Sequence, residues 1–363
     1  MKLKRPAILA GVMLTATVAL AACGTDNNTT PGSGSSSNAS GVSGKLTAQG
    51  STAQKNAMDQ WIKDFLALNS GATVDYQGTG SGAGIQAFSA GTADFAGSDS
   101  ALKDTEQPAA DTRCATGKAI HLPLVTGPIA VAYNLTGVTG LQLSPATIAK
   151  IFSGAITSWD AAEIKADNPG ATLPAKKILA IHRNDSSGTT DNFTKYLSKA
   201  AATDWTLGND KVWKAAGGQG EKGSDGVSAG IKSNDGAIGY VEWSFAKVNS
   251  LGVAKVKNGA NEFTELTAEA AGKTVAGAKQ SGTGDDLKLS LDYNTTTPGA
   301  YPIILVTYEI VCGKGTPADK LALLKAFLTY AAGDGQAKLT TLGYAPLPAE
   351  VQAKVKTAIS NLS

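Results

Sequence analysis

The sequence predicts an α/β protein, and three observations carry that expectation. From Lys45 onward, short β-rich runs alternate with helix-period patterns. Three of those runs end in a corner of hydroxyl and small residues that opens a helix. The 363 residues are enough for two domains, each with its own core. Glycine, at 42 residues, is frequent enough to serve many tight turns and close backbone approaches.

Ahead of that alternation, Lys2, Lys4 and Arg5 form a basic region, Ala7 to Ala19 an apolar one, and Leu20-Ala21-Ala22-Cys23 a small-residue cleavage site. The site resembles a bacterial lipobox, which implies a signal peptide over 1–22, cleavage before Cys23 and lipid (palmitate among it) on that residue. An ordinary secretory leader with a chance cysteine is the alternative, and either exports the protein. Residues 23–44, with Pro31-Gly32-Ser33-Gly34, are too polar and Gly/Ser-rich to fold and predict a tether spanning roughly 25 Å on average. No later segment has the apolar length of a membrane span.

The elements then follow in order. Lys45 to Gln49 is strand-like, and Gly50-Ser51-Thr52-Ala53 opens a helix whose inward positions include Ala57, Trp61, Phe65 and Leu68. Thr73 to Tyr76 is a strand, and Gly78 to Gly84 opens a helix over Ile85 to Ala90. Ala93 to Asp99 is a brief strand ending in an acid. Ala119 to Leu124 and Gly127 to Asn134 predict two further strands around Pro123 and Gly127. Ser144 caps a helix running to Phe152, with Pro145 at its first position. Trp159-Asp160 and Asn168-Pro169-Gly170 mark loops. Lys177 to Ile181 leads into His182-Arg183-Asn184-Asp185-Ser186-Ser187-Gly188-Thr189-Thr190, then a helix carrying Phe193 and Leu197. Gly236 to Glu242 is a strand, Tyr301 to Val311 the most apolar strand, and Pro317 to Ala332 and Pro348 to Ile359 are helical.

The third corner is an anion site in outline. An arginine at a strand end, beside Ser/Thr and glycine at a helix start, places a guanidinium fork next to free backbone N–H groups. Asp185, two residues on, can hold that fork while its other donors face the anion. Charged residues make up only 17% of the chain, and loss of Lys2, Lys4 and Arg5 with the leader takes the formal charge from +2 to −1. No polyanion-binding surface is implied, which excludes a nucleic-acid partner. After Cys23 only Cys114 and Cys312 remain, and in an oxidising compartment a disulfide between them is expected, two separate buried thiols being the alternative.

With these stretches placed, the chain resembles the phosphate-binding protein of the bacterial phosphate ABC importer from about Leu46 to the C-terminus. Further matching phrases are Ile151-Phe152-Ser153-Gly154, Trp159-Asp160, Leu173-Pro174 and Gly236 to Glu242. The resemblance implies a two-lobed, type II periplasmic-binding-protein-like receptor with doubly wound sheets. Residues 45–126 with 301–363 would form one lobe and 127–300 the other. The two hinge crossings would lie near Val125 to Pro128 and near Ala300, leaving Cys114 and Cys312 in one lobe.

The implied ligand is inorganic phosphate, the implied partners are transmembrane permease subunits, and the implied state is a monomer lipid-anchored outside the cell membrane. No cofactor, metal or catalysis is implied. Carried over residue by residue, the Thr52 hydroxyl, the Ala53 N–H, Ser81, Arg183, Ser187, the Gly188 N–H and Thr189 would donate to phosphate. Asp99 would accept from it, and Asp185 would pair with Arg183. The sequence departs from the family at Ala53, where an aromatic is frequent, and at His182, where a second base is frequent. Phosphate at neutral pH carries a proton and sulfate none, so an ionised Asp99 would repel sulfate in a dry site at a cost of several kcal/mol.

Rival readings are weaker. Gly78-Thr79-Gly80-Ser81-Gly82-Ala83 also fits an alanine-ended dinucleotide fingerprint, but the gap to the next strand is very short. Gly226-Val227-Ser228-Ala229-Gly230 fits a nucleophile elbow, so an exported phosphoester hydrolase is an alternative; no apolar strand precedes it, Gly217 to Gly226 has the composition of a flexible loop and Asp225 that of a helix cap. His121 and His182 are the only histidines, so no metal-ligand spacing exists. Trp61, Trp159, Trp205, Trp213 and Trp243 fit packing roles. A receptor of the same fold for sulfate or molybdate is the runner-up, and Asp99 is what argues against it.

Overall fold

The computed structural model describes residues 41–363. The leader, Cys23 and the tether up to residue 40 lie outside them. The expected tether boundary at 44 moves inward: the Val42 N–H donates to Asn69 Oδ1 at 3.2 Å, and Gly44 already begins a strand.

The α/β alternation is present throughout. Strands Gly44–Gly50, Ala72–Gly78 and Phe95–Ser98 pair in parallel, joined by helices Lys55–Leu68 and Ser81–Ser89. Strands Leu179–Arg183, Gln219–Glu221 and Ala237–Glu242 repeat the arrangement, with helices Gly188–Ala200 and Gly223–Ser233 between them. Parallel neighbours require crossover helices, so each strand end delivers the chain to a helix N-terminus at the same edge of its sheet.

Two strands expected around Pro123 and Gly127 are one, Ala119–Asn134, 16 residues long. Its first half pairs antiparallel with Ile304–Cys312 and its second half with Ala237–Glu242. Pro123 is tolerated because the Ile304–Cys312 ladder shifts register between Thr307 and Tyr308, beside it. The shared strand joins both halves into one nine-stranded sheet.

The two largest hydrophobic cores are separate. One gathers Leu46, Trp61, Phe65, Val125, Val311, Phe327 and Ile359, the other Ile129, Phe152, Trp159, Phe193, Tyr240 and Leu305. The chain passes between them at Val125–Pro128, which pairs with Ile304–Thr307. Tyr301 and Ile303 belong to the second core, so the second crossing falls a few residues later than Ala300. Leu287 packs in the first core although its sequence neighbours pack in the second, because its N–H is held by the His121 carbonyl at 3.0 Å.

Other local departures have plain causes. Leu68 is 69% exposed because its helix ends there, while Ala57, Trp61 and Phe65 are buried. The C-terminal region carries an additional 3-10 turn, Asp334–Lys338, and a one-turn helix, Leu339–Leu342, that short polar segments do not announce. Ser144 accepts from the Thr147 N–H as its sequence position predicts. No described helix is long and apolar enough to cross a membrane.

Cys114 and Cys312 are bonded, joining the end of helix Gln107–Arg113 to the end of strand Ile304–Cys312 across a separation of 198 residues. Replacing both by serine is expected to lower unfolding stability by about 2–4 kcal/mol. Urea denaturation of the double variant checks this, with anion affinity expected to stay near that of the parent because both cysteines lie in one half of the chain.

Candidate anion-binding site

The three corners meet. Gly82 N–H donates to the Ser186 carbonyl at 3.0 Å, and Gly188 N–H donates to Ser81 Oγ at 3.2 Å, tying the second corner to the third. The contact is possible because these positions lack a Cβ: a methyl group on Gly80 would fall 2.5 Å from Asp185 Oδ2, and one on Gly82 would overlap the Ser186 side chain. Gly80 also needs its φ of +94°, which a side chain would strain. The glycines of the fingerprint-like loop therefore admit a neighbouring loop of the same chain, leaving no room for a pyrophosphate.

Arg183 is 2% exposed. Its Nε and Nη2 donate to Asp185 Oδ1 and Oδ2 at 2.6 and 2.5 Å, and among the described residues Nη1 has no partner. Burial pushes the Asp185 carboxyl up, but the Arg183 bonds and charge, with the Gly223 N–H at 3.2 Å, hold it below its ordinary value. The strand end itself is anchored by the Tyr240 hydroxyl, which accepts from the Arg183 N–H at 3.1 Å.

Asp99, just past the end of its strand, is 3% exposed and accepts on both oxygens. Ser51 and Thr307 hydroxyls donate to Oδ1, the latter at 2.8 Å. Thr189 donates to Oδ2 at 3.3 Å and Ser81 at 3.5 Å. Burial raises the Asp99 carboxyl above its ordinary value, opposed by the Ser51 and Thr307 bonds, the Arg183 charge and the Thr189 bond. An accepting-only carboxylate ringed by donors is thus set within electrostatic reach of a buried cation.

The remaining expected residues are in the same place with partners of their own. Thr52 Oγ1 lies 3.0 Å from Ser224 Oγ and accepts from the Ser224 N–H at 3.1 Å. The Ala53 N–H donates to Ser51 Oγ at 3.1 Å. Ser187 caps its helix, accepting from the Thr190 N–H at 3.2 Å. A cavity of about 400 Å³ reaches Asp99 and Ser100 and is walled by Asn192, Lys195 and Tyr293. A larger one of about 610 Å³, beside Tyr133, Lys232 and Asn249, touches none of the corner residues.

Sequence reasoning missed three participants. Ser51 shares its corner with Thr52, to which the family resemblance assigns the role; only the fold turns Ser51 toward Asp99. Thr307 is an ordinary strand residue whose ladder partner, Val125, gives no hint of an acid nearby. A fourth helix N-terminus, at Gly223–Ser224, lies against Thr52 and Asp185. The expected loop over Gly217 to Gly226 is instead a short strand and this helix start, with Lys222 rather than Asp225 at the N-cap position. Gly223 with its φ of +69°, followed by a serine, was the available signal.

Thr307→Val keeps the shape of the side chain and removes one donor from Asp99. Its proton uptake is expected to shift further upward and anion affinity to fall roughly tenfold, the size of one hydrogen bond to a charged group. Calorimetry of the purified variant reads both through the proton release on binding.

The comparisons with known proteins bear on this geometry. The PBP superfamily domain model matches residues 35–334. The chain is 43% identical over 371 residues to phosphate-binding protein PstS 3 of Mycobacterium leprae, and 41% identical over 375 residues to phosphate-binding protein PstS 2 of Mycobacterium tuberculosis, each alignment covering 100% of both chains. Among solved structures, a high-affinity periplasmic phosphate-binding protein bound with phosphate superposes with a TM-score of 0.70 at 23% identity, over 86% of this chain and 93% of that one. That likeness speaks to the fold, which is the type II periplasmic-binding arrangement.

Proposed function

This chain belongs to the PBP superfamily and, within it, to the phosphate-binding proteins, and we propose that it captures one inorganic phosphate outside the cytoplasmic membrane and delivers it to the permease of an ABC importer. One observation carries the reading: a fully buried carboxylate, Asp99, and a fully buried guanidinium, Arg183, face one cluster of hydroxyl and helix N-terminal donors. Such a site requires a guest that is an anion and also carries an O–H.

The donors proposed for phosphate are the Thr52 hydroxyl, the Ala53 N–H, Ser81, Arg183, Ser187, the Gly188 N–H and Thr189. Several of these groups bond one another, and binding would exchange those bonds for charge-assisted ones. Each such bond is worth about 1.5–3 kcal/mol, and micromolar affinity needs about 8 kcal/mol. A handful of bonds reaches that range after the cost of ordering. Converging helix N-termini supply the positive potential that a single arginine cannot.

Closure is proposed to bring residues 45–126, with the chain beyond the crossing at Ile304–Thr307, against the intervening residues. Contacts between those segments support it. Lys211 Nζ donates to both carboxylate oxygens of Glu106 at 2.8 and 2.7 Å, Lys103 Nζ pairs with Asp210 at 2.8 Å, and Ser100 donates to Asp191 at 2.6 Å. The antiparallel crossing at Val125–Pro128 and Ile304–Thr307 is the proposed hinge. The disulfide lies wholly within the first segment and leaves that motion free.

A binding role without catalysis fits the rest. Ser228, the hydrolase candidate, is inside a helix with its hydroxyl given to the Asp225 carbonyl at 3.1 Å. His121 Nε2 accepts from the Leu102 N–H and Nδ1 meets Asp286, while His182 stacks on Trp213 with centroids 4.9 Å apart, so neither is poised as its base. Cleavage before Cys23, lipid attachment there and a monomeric state complete the proposal.

Calorimetry of the domain lacking the tether, with phosphate, arsenate and sulfate, tests the reading; tight binding of sulfate would overturn it. Asp99→Asn is expected to keep the fold and lose much of the rejection of sulfate relative to phosphate, and an unchanged preference would remove Asp99 from the site. Arg183→Ala is expected to lose most phosphate affinity, by roughly a hundredfold or more, since it removes the buried guanidinium of the corner.

A further inference from the structure

Asn192 has no role among the proposed donors, yet it is 3% exposed and both polar atoms of its side chain are engaged. Its Nδ2 donates one hydrogen to the Asp99 carbonyl at 2.7 Å and the other to the Gly188 carbonyl at 2.8 Å. Its Oδ1 accepts from the Tyr293 hydroxyl. Two acceptors stand opposite the NH₂ and a donor opposite the oxygen, so the amide has a single workable orientation.

These bonds divide unevenly between the two halves of the chain. Gly188 opens the helix Gly188–Ala200 that carries Asn192, and Tyr293 packs in the same hydrophobic core as Phe193, the next residue. Asp99 lies in the other half, 93 positions away along the chain. The bonds to Gly188 and Tyr293 therefore aim the amide within its own half, and the bond to Asp99 forms from one half to the other. The approach is close because Gly188 has no side chain: a methyl group there would lie 2.6 Å from Asp99 Cβ. The Asp99 main chain is also held from its own half, its N–H donating to Ser81 Oγ at 3.2 Å, and that same oxygen accepts the Gly188 N–H at 3.2 Å.

We propose that Asn192 is a positioning residue: aimed by Tyr293, its amide fastens the Asp99 main chain to the helix that opens at Gly188 when the halves are together. The spacing between the Asp99 carboxylate, which accepts, and the Gly188 N–H, which donates, is then set by one rigid group. Discrimination by Asp99 needs such a stop. A carboxylate free to draw back would spare sulfate its like-charge penalty and would cost phosphate its acceptor, and both changes erode the same preference. The adjoining Ser100 hydroxyl donates to Asp191 at 2.6 Å, so two consecutive residues of one half meet two consecutive residues of the helix in the other. Of the two contacts, the Asn192 bond is the one made to Asp99.

This role rests on the phosphate reading, and two variants test it. Asn192→Leu keeps the side-chain volume and removes all three bonds; Tyr293→Phe keeps the ring and removes only the group that aims the amide. Wild type and both variants are compared by the release of bound radiolabelled phosphate into an excess of unlabelled phosphate, and by the sulfate concentration that displaces the label. Phosphate is expected to leave Asn192→Leu roughly fivefold faster than wild type, the size of one neutral hydrogen bond. The association rate is expected to stay within about twofold, because the bond forms only after the guest has entered. The preference for phosphate over sulfate is expected to fall about threefold, and Tyr293→Phe to move both readings the same way by about twofold.

A residue that served only the fold would lower the fraction of active protein and leave the release rate and the preference of the remaining molecules at wild-type values. That result in Asn192→Leu would overturn the role, as would wild-type values in Tyr293→Phe should Asn192→Leu fail to fold. A wild type that binds no phosphate would sink the function and this role with it, whereas wild-type values in the variants sink the role alone.

Discussion

The structure turns on keeping a guanidinium charged where water cannot reach it. Removing an ion of that kind from water costs several kcal/mol unless its partners are well placed. Asp185 meets two of the Arg183 nitrogens as a fork, and the Gly223 N–H in turn steadies Asp185. The rest of the corner follows from that demand. Gly80 makes way for Asp185, Gly188 for Asp99, and Tyr240 pins the strand from which the arginine emerges. An arginine so held has lost its freedom before any ligand arrives, and the ligand is spared that entropy.

Asp99 completes the arrangement by opposition. Its field and that of Arg183 give the pocket a positive and a negative pole a few residues apart, and hydroxyl donors surround the negative one. Donors alone would accept any tetrahedral oxyanion. In the proposed role, Asp99 as a fixed acceptor among them would convert the presence of one hydrogen on the guest into a difference of binding energy. The hydroxyls around Asp99 come from three strand ends and a crossing strand, so the acceptor is fully dressed only when both halves of the chain are together.

That dependence explains the sheet. The strand Ala119–Asn134 belongs to both halves, and with Ile304–Cys312 it forms an antiparallel seam at which the chain changes core. Two strands side by side resist shear yet bend about their common axis. Thr307 stands on that seam and bonds Asp99, which couples the geometry of the crossing to the geometry of the pocket. Polar contacts such as Lys211 with Glu106 close the far edge, where their partial burial makes them stronger than exposed pairs.

Much of this was legible in one dimension because its causes are local. Alternating periodicity gives the α/β class, and Ser144-Pro145 announces a helix start by capping chemistry alone. A strand that ends in Ser/Thr/Gly presents free N–H groups whatever the rest of the chain does; singly such a corner reads as an ordinary helix cap, but Gly50 to Ala53, Gly78 to Gly84 and Arg183 to Thr189, taken together with Asp99, read as anion corners. The pairing of Arg183 with Asp185 is likewise local, a matter of two residues. The placement of Thr307 near Asp99 is different, because it depends on which strand lies beside which, and a threonine in a strand has the same local pattern wherever that strand is inserted. The same holds for the merging of two expected strands into one, where a register shift in the partner accommodates Pro123, and for Gly223, whose corner exists only because Thr52 and Asp185 lie across from it. The elements and the chemical character of their ends arise from contacts a few residues long, and so are legible along the chain. Which ends face each other, and which buried acids lie among them, depends on folding, since desolvation is set by neighbours far away along the chain.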